Sequence, residues 1–170
     1  LRLYRNAAGA DDDVLGRIDF EGINDNSQDV IYGNIQTEIM DASDGTESGQ
    51  MQFGVMKAGT LRNFLMLDRT EVTINEDGVD CDFRVESDDH SHMLFVDGGK
   101  NAVGINNSAL ETWNGSYTAL QIGGSASLMS TDAQSDGSPL HISNNAYYDA
   151  TNSRWEYMST NADDEAGNMY

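Results

Sequence analysis

Two histidines one residue apart, His90 and His92, have the residue type and spacing in this chain that most directly point to chemistry. In an extended strand, residues i and i+2 face the same side. Three such pairs around a three-fold axis would present six imidazoles, an octahedral nitrogen cage suited to a transition metal. A plainer reading places His90 in an acidic turn with Ser87-Asp88-Asp89 and His92 at the entrance of a strand. That reading is favoured, because Ser and Asp open turns more naturally than they lengthen strands. No metal or cofactor is therefore assigned, and His90 and His92 stand as the metal candidates. If the strand of Met93 to Val96 ran back unbroken, both histidines would share the face of Leu94 and Val96.

The remaining reactive residues form no recognisable catalytic set. The segment Asp41-Ala-Ser-Asp-Gly-Thr-Glu47 has spaced carboxylates and a glycine but lacks the ligand spacing of an EF-hand, so it reads as an acidic hairpin loop. Asp11-Asp12-Asp13 reads the same way. Cys81 alternates with Phe83 and Val85 and reads as a small hydrophobe. As the sole cysteine, it excludes an intrachain disulfide. The stretch Gly123-Gly-Ser-Ala-Ser127 is not the Gly-x-Ser-x-Gly elbow of a serine hydrolase. Acidic residues are so abundant that no pair singles itself out for glycoside hydrolysis. Tyr147, Tyr148, Trp155 and Tyr157 have the side chains to stack on a sugar, although packing within a short hairpin is the expected use. No catalytic residue is assigned.

The chemistry that is excluded follows from charge. The chain carries 29 acidic and 9 basic residues, a formal net charge of −20. Phosphate would be repelled, which argues against nucleic acid and anionic membrane surfaces as partners. No apolar run approaches the ~18 residues of a membrane span. Leu, Ile, Val and Phe make up 33 of the 170 residues, just under the level at which high charge suggests disorder. These residues nonetheless cluster in alternating runs. A chain so poor in core formers can be ordered if neighbouring copies share one core. Neither end reads as a natural terminus, and a piece of a longer chain is expected.

Strands are expected wherever period-two alternation is bounded by turn residues. Val14–Phe20, Ile31–Ile39, Met51–Val55, Phe64–Leu67, Val72–Ile74, Cys81–Val85, Tyr117–Ile122 and Ser125–Leu128 fit. Phe64-Leu-Met-Leu67 is apolar throughout, as in a strand buried on both faces. Turns are expected at 24–29, 41–49, 57–60 and around Gly123-Gly124. Ala146–Tyr148 and Arg154–Tyr157 read as an aromatic hairpin. No helix of ten residues is expected. A hairpin recurs: Leu65-Met-Leu67-Asp68 leads to Val72-Thr-Ile74-Asn75, and Leu94-Phe-Val96-Asp97 leads to Val103-Gly-Ile105-Asn106. The second copy predicts strands at Met93–Val96 and Val103–Ile105, joined by Asp97–Asn101. The expected organisation is a β-rich domain with repeated hairpins over 1–107 and a looser β-rich segment over 108–170.

Longer phrases carry a resemblance. "VLGRIDFEG", "IYGNIQTEIMDASDGTESGQMQFGVMKAGTL", "FRVESDDHSHMLFVDGGKNAVGIN" and "ETWNGSYTALQIGGSASLM" resemble segments of bacteriophage tail fibres and related virion fibre proteins, particularly of marine tailed phages. The resemblance spans roughly residues 1–160. Where that family has a "VGIGT"-type joint, this chain has Val103-Gly-Ile105-Asn106-Asn107. The resemblance implies an all-β chain of short antiparallel strands and hairpins in an elongated, intertwined homotrimeric fibre. It implies a structural role in the virion, partners among itself and other tail or virion proteins, a host receptor or glycan beyond them, and no enzyme. Some fibre tips resemble the paired-histidine pattern. The alternative is a receptor- or glycan-binding fibre tip or a secreted bacterial adhesin module.

Overall fold

A computed structural model describes residues 2–100, 102–131, 140–158 and 167–169. Every element among them is a β-strand. The chain divides into two compact units, Leu1–Val79 and Asp80–Tyr170.

The first unit is a five-stranded antiparallel meander in chain order: β1 (Val14–Ile23), β2 (Asp29–Asp41), β3 (Ser48–Lys57), β4 (Thr60–Leu67) and β5 (Val72–Ile74). Its turns are built by the residues expected of turns. Asn24 Oδ1 accepts from the backbone N–H of Asn26 (3.0 Å) and Gln28 (2.9 Å), which closes β1 onto β2. Ala58 and Gly59 form the two-residue loop between β3 and β4 with φ of 50° and 79°. Positive φ at both positions is the geometry that matches strand twist in a tight hairpin.

The second unit is built on a seven-stranded sheet in the order β14-β11-β10-β9-β8-β7-β6. Its strands are β6 (Phe83–Val85), β7 (Leu94–Asp97), β8 (Ala102–Ile105), β9 (Tyr117–Ile122), β10 (Ala126–Thr131), β11 (His141–Asn144) and β14 (Gly167–Met169). A separate hairpin pairs β12 (Tyr147–Tyr148) with β13 (Trp155–Glu156), as the aromatic pattern predicts. The β7–β8 hairpin also forms as expected; Asn101, at the end of its expected turn, lies outside the described residues.

Three expectations are corrected. Not all neighbours are antiparallel: β8 and β9 run parallel. Parallel neighbours require a crossover, here residues 106–116, whose Leu110 and Trp113 are buried. That pairing ties the repeated hairpin to the following strands, so the units part at Val79/Asp80 and not at 107/108. The second correction concerns packing. Residues after 107 are the better packed part, with Leu110, Trp113, Ala119 and Met129 in the core alongside Phe95 and Ala102. Third, Phe64–Leu67 is not buried on both faces: only Met66 is buried, and Leu67 is 38% exposed. The first unit is a single sheet: on the Leu67 side Leu3 lies over Gly16 in β1, while Leu67, Val55, Val72 and Ile74 stay exposed.

Candidate functional site: two uncovered sheet faces

Strand register decides which side chains share a face. In the first sheet the pairing Ile18–Ile35–Phe53–Leu65–Ile74 runs across all five strands. The neighbouring row is Gly16–Thr37–Met51–Leu67–Val72, and Phe20–Gly33–Val55 lies on the other side. Directly paired residues project to the same side, so these rows form one continuous apolar face. It is open: Phe20, Val55, Val72 and Ile74 are each between 46% and 65% exposed. The opposite face carries Arg17, Asn34, Gln36 and Gln52. Among the described residues of this unit only Asn34, Gly54 and Met66 are buried.

The second sheet repeats the arrangement with one difference. Its first row is Phe83–Val96–Val103–Leu120–Leu128–Ile142. The second is Val85–Leu94–Ile105–Ile122–Ala126. None of these side chains is buried, and Val85, Val96, Ile122 and Ile142 are exposed. The alternate residues Phe95, Ala102, Ala119, Gln121, Ser127, Met129, His141 and Ser143 are buried instead. They are covered by the crossover and by the β12–β13 hairpin, through Tyr147, Tyr148 and Trp155.

Gln121, Ser127 and Ser143 on the covered side find hydrogen-bond partners nearby. Gln121 Oε1 accepts from the Trp113 indole N–H (3.1 Å) and the Glu111 backbone N–H (2.7 Å). Ser143 Oγ donates to the Ala146 carbonyl (2.9 Å) and lies 2.5 Å from Ser127 Oγ. Burial, followed by the nearby carboxylates Glu111, Asp149 and Glu156, pushes the Tyr147 hydroxyl up to about 12. Tyr147 is therefore neutral and donates to Asp149 Oδ1 (3.3 Å). The result is an inverted sheet: apart from Phe95 and Met129, the residues facing the chain's own core are small or polar, while Val, Ile and Leu face outward.

The histidines fall in the turn before β7, which begins at Leu94. Ser87 N–H donates to the His90 carbonyl (2.8 Å), and His90 N–H to Ser87 Oγ (3.2 Å). His92 stands edge-on to Phe95 at 5.0 Å, with Nδ1 2.8 Å from Ser91 Oγ. Phe95 points to the side opposite Leu94 and Val96, so unbroken alternation back to His92 does not hold. Among the described residues, no group of three or more His, Cys, Asp or Glu side chains is placed to hold a metal ion.

The acidic loop 41–47 spends its carboxylates on its own backbone. Asp41 accepts from Ser43 N–H (2.9 Å), and Glu47 from Gly45 N–H (3.1 Å). The Ser43 backbone bond is the main cause holding the Asp41 carboxyl below its ordinary value. Asp11 accepts from Ala42 N–H (3.0 Å), and Asp13 pairs with Arg5 at 2.9 Å. Cys81 is half-buried just ahead of β6, its backbone against Gly98. Gly123–Ser127 is the β9–β10 turn and the start of β10, with Ser127 buried. Of the aromatic quartet, Tyr147, Tyr148 and Trp155 pack on the core and Tyr157 does not.

Sequence reasoning located most of the strands, β11 and β14 apart, and did not say which face of each is covered. A signal was present in β9, β10 and β11, where Gln121, Ser127 and Ser143 alternate with Leu120, Leu128 and Ile142.

Compared with protein-family models, curated proteins and solved structures, the chain matches none.

Proposed function

We propose that this chain is a structural segment of a virion, a length of a homotrimeric bacteriophage tail fibre that supports host attachment. One observation carries the reading: the first unit is a single sheet with an apolar face left open over β2–β5 and almost no core of its own. A stable domain needs a second packed layer, and monomers rarely leave contiguous apolar patches beyond a few hundred Å². Both uncovered rows in the second sheet also lack any charged side chain, although 22% of the chain is charged. Copies of net charge −20 repel one another, so their contact must form through such uncharged surface. Identical copies would supply one another's missing layer. The number three comes from the resemblance to fibre proteins. Mechanically, interlocked sheets resist shear and proteolysis, while carboxylates in the turns keep assembled fibres soluble and apart. The partners are other copies and neighbouring tail or virion proteins, and no enzymatic step is part of the reading.

Light scattering on the purified chain tests it. The expected mass is about three times 18.6 kDa. Phe53→Asp in the first face and Ile122→Asp in the second should each drive the mass towards that of one chain, because an unpaired buried carboxylate costs several kcal/mol. A folded, stable monomer of the unmodified chain sinks the proposal. A second reading, a receptor- or glycan-binding tip or adhesin, is favoured by one observation, an exposed tyrosine beside an open aromatic cavity.

A further inference from the structure

Among the described residues that follow β8, most aromatic rings are used for packing. Trp113 is buried, and Tyr117, Tyr147, Tyr148 and Trp155 lean on the same cluster. Tyr157 departs from this pattern, with 56% of its surface exposed immediately after β13. Beside it lies an open cavity of about 200 Å³, lined by Ala146, Trp155, Glu156 and Tyr157. Its walls are mainly apolar, and its charged member is held in place. Glu156 Oε1 accepts from Asn152 Nδ2 (2.8 Å) and from Arg154 Nε (3.0 Å). Its other oxygen, Oε2, accepts from no described residue.

These features match one ligand chemistry. A pyranose offers a face of C–H groups to an aromatic ring and an edge of hydroxyls to an oriented carboxylate, which accepts without needing a proton of its own. Small-molecule sites combine apolar walls with a few fixed polar groups in this way. The cavity has room for one sugar ring. The chain's charge of −20 disfavours uronic and sialic acids. We propose that Tyr157, Trp155 and Glu156 form a binding site for one neutral hexopyranose unit, at the end or on a branch of a glycan. The site stands independently of self-association. The β12–β13 hairpin covers the side of its sheet opposite the uncovered rows, so burying those rows leaves the cavity open.

The test uses the full chain and a panel of methyl glycosides of glucose, galactose, mannose, N-acetylglucosamine and N-acetylgalactosamine, with glucuronic acid as the acidic comparison. Saturation-transfer NMR and tryptophan fluorescence report binding. At least one neutral sugar is expected to saturate with Kd of about 1–10 mM, the range for a single-ring site. Tyr157→Ala should weaken it about tenfold or more, Tyr157→Phe should keep it, and Glu156→Gln should weaken it severalfold. Light scattering should give these variants the mass of the unmodified chain, which separates this site from the assembly surface. Silence across the neutral panel overturns the proposal. So does binding unchanged in Tyr157→Ala, or glucuronic acid binding as well as the neutral sugars.

Discussion

The two copies of the hairpin share their local geometry and differ in what packs on them. In β4–β5 the pairs are Leu65–Ile74, Met66–Thr73 and Leu67–Val72; in β7–β8 they are Leu94–Ile105, Phe95–Gly104 and Val96–Val103. Each begins its turn with an aspartate that accepts backbone N–H bonds: Asp68 from Thr70 (2.6 Å) and Glu71 (3.0 Å), Asp97 from Gly99 (3.0 Å) and Lys100 (2.9 Å). Each ends in an asparagine at positive φ, 66° for Asn75 and 52° for Asn106. Those asparagines donate back to the carbonyls of Phe64 and Met93. Two turns of unequal length thus produce one register.

The central pair separates them. A Cβ at Gly104 would stand 2.5 Å from the Asn107 carbonyl oxygen and 2.8 Å from Leu110 Cδ2. Glycine at this position lets the crossover lie down on the sheet and deliver Leu110 to the core. Thr73, at the matching place in the first copy, receives no such cover. One side chain therefore marks where the chain supplies its own second layer and where it does not.

Exchanging these residues is the strongest way to break the comparison. Gly104→Thr should push the crossover off the sheet and cost about 3 kcal/mol, at the upper end for forcing atoms into a packed site. The denaturant midpoint of the second unit, followed by tryptophan fluorescence, checks it. Thr73→Gly, the reverse change, should cost about 1 kcal/mol through backbone freedom alone. Equal effects at the two sites would show that the hairpins are not differently covered.

Acid titration sharpens the contrast. Asp41 and Asp68 lie below the ordinary 3.8, chiefly because of backbone N–H bonds from Ser43 and Thr70. Their contribution is complete above the unfolded value and drains as pH falls through the lowered folded one. Glu111, in the crossover, is raised above 4.5, first by burial, with Lys100 opposing and Asp149 adding. Its sign is opposite: the stability linked to it is full below 4.5 and is lost as pH rises through the folded value. Asp68→Asn should therefore lose more stability relative to the unmodified chain at about pH 7 than at about pH 2, and Glu111→Gln should gain more at the higher pH. Denaturant midpoints across that range check both signs; matching signs would remove the electrostatic difference between the two regions.

The smallest effect concerns the β3–β4 turn. Ala58 adopts φ of 50°, where an alanine is strained and asparagine is tolerated. Ala58→Asn creates the Asn-Gly pair preferred in such turns and should stabilise the first sheet by about 0.5–1 kcal/mol. Thermal melting of the purified protein reads this gain; a loss would mean that the Ala58 side chain has a packing role.

Much of this architecture was legible in order of residues. Alternation placed β2, β3 and β9, and Asn24, Gly59 and Gly123 marked their turns. The matching Asp, Val-x-Ile and Asn positions disclose a reused hairpin. These features are local: turn chemistry and period two act over a few residues, so neighbouring residue types suffice to encode them. The turn at His90 and His92 was also within reach, since Ser87-Asp88-Asp89 stands next to it. What alternation cannot say is which of a strand's two faces is covered. It assigns Leu120 and Gln121 to opposite sides and treats those sides alike. Only tertiary structure decided that Gln121, Ser127 and Ser143 face the chain's own core, because cover comes from a crossover and an aromatic hairpin far along the chain. The same non-local choice set the parallel β8–β9 pair and the boundary at Val79. It also left Ile18, Phe53 and Ile122 facing outward, on sides where the chain's own crossover and aromatic hairpin supply no cover.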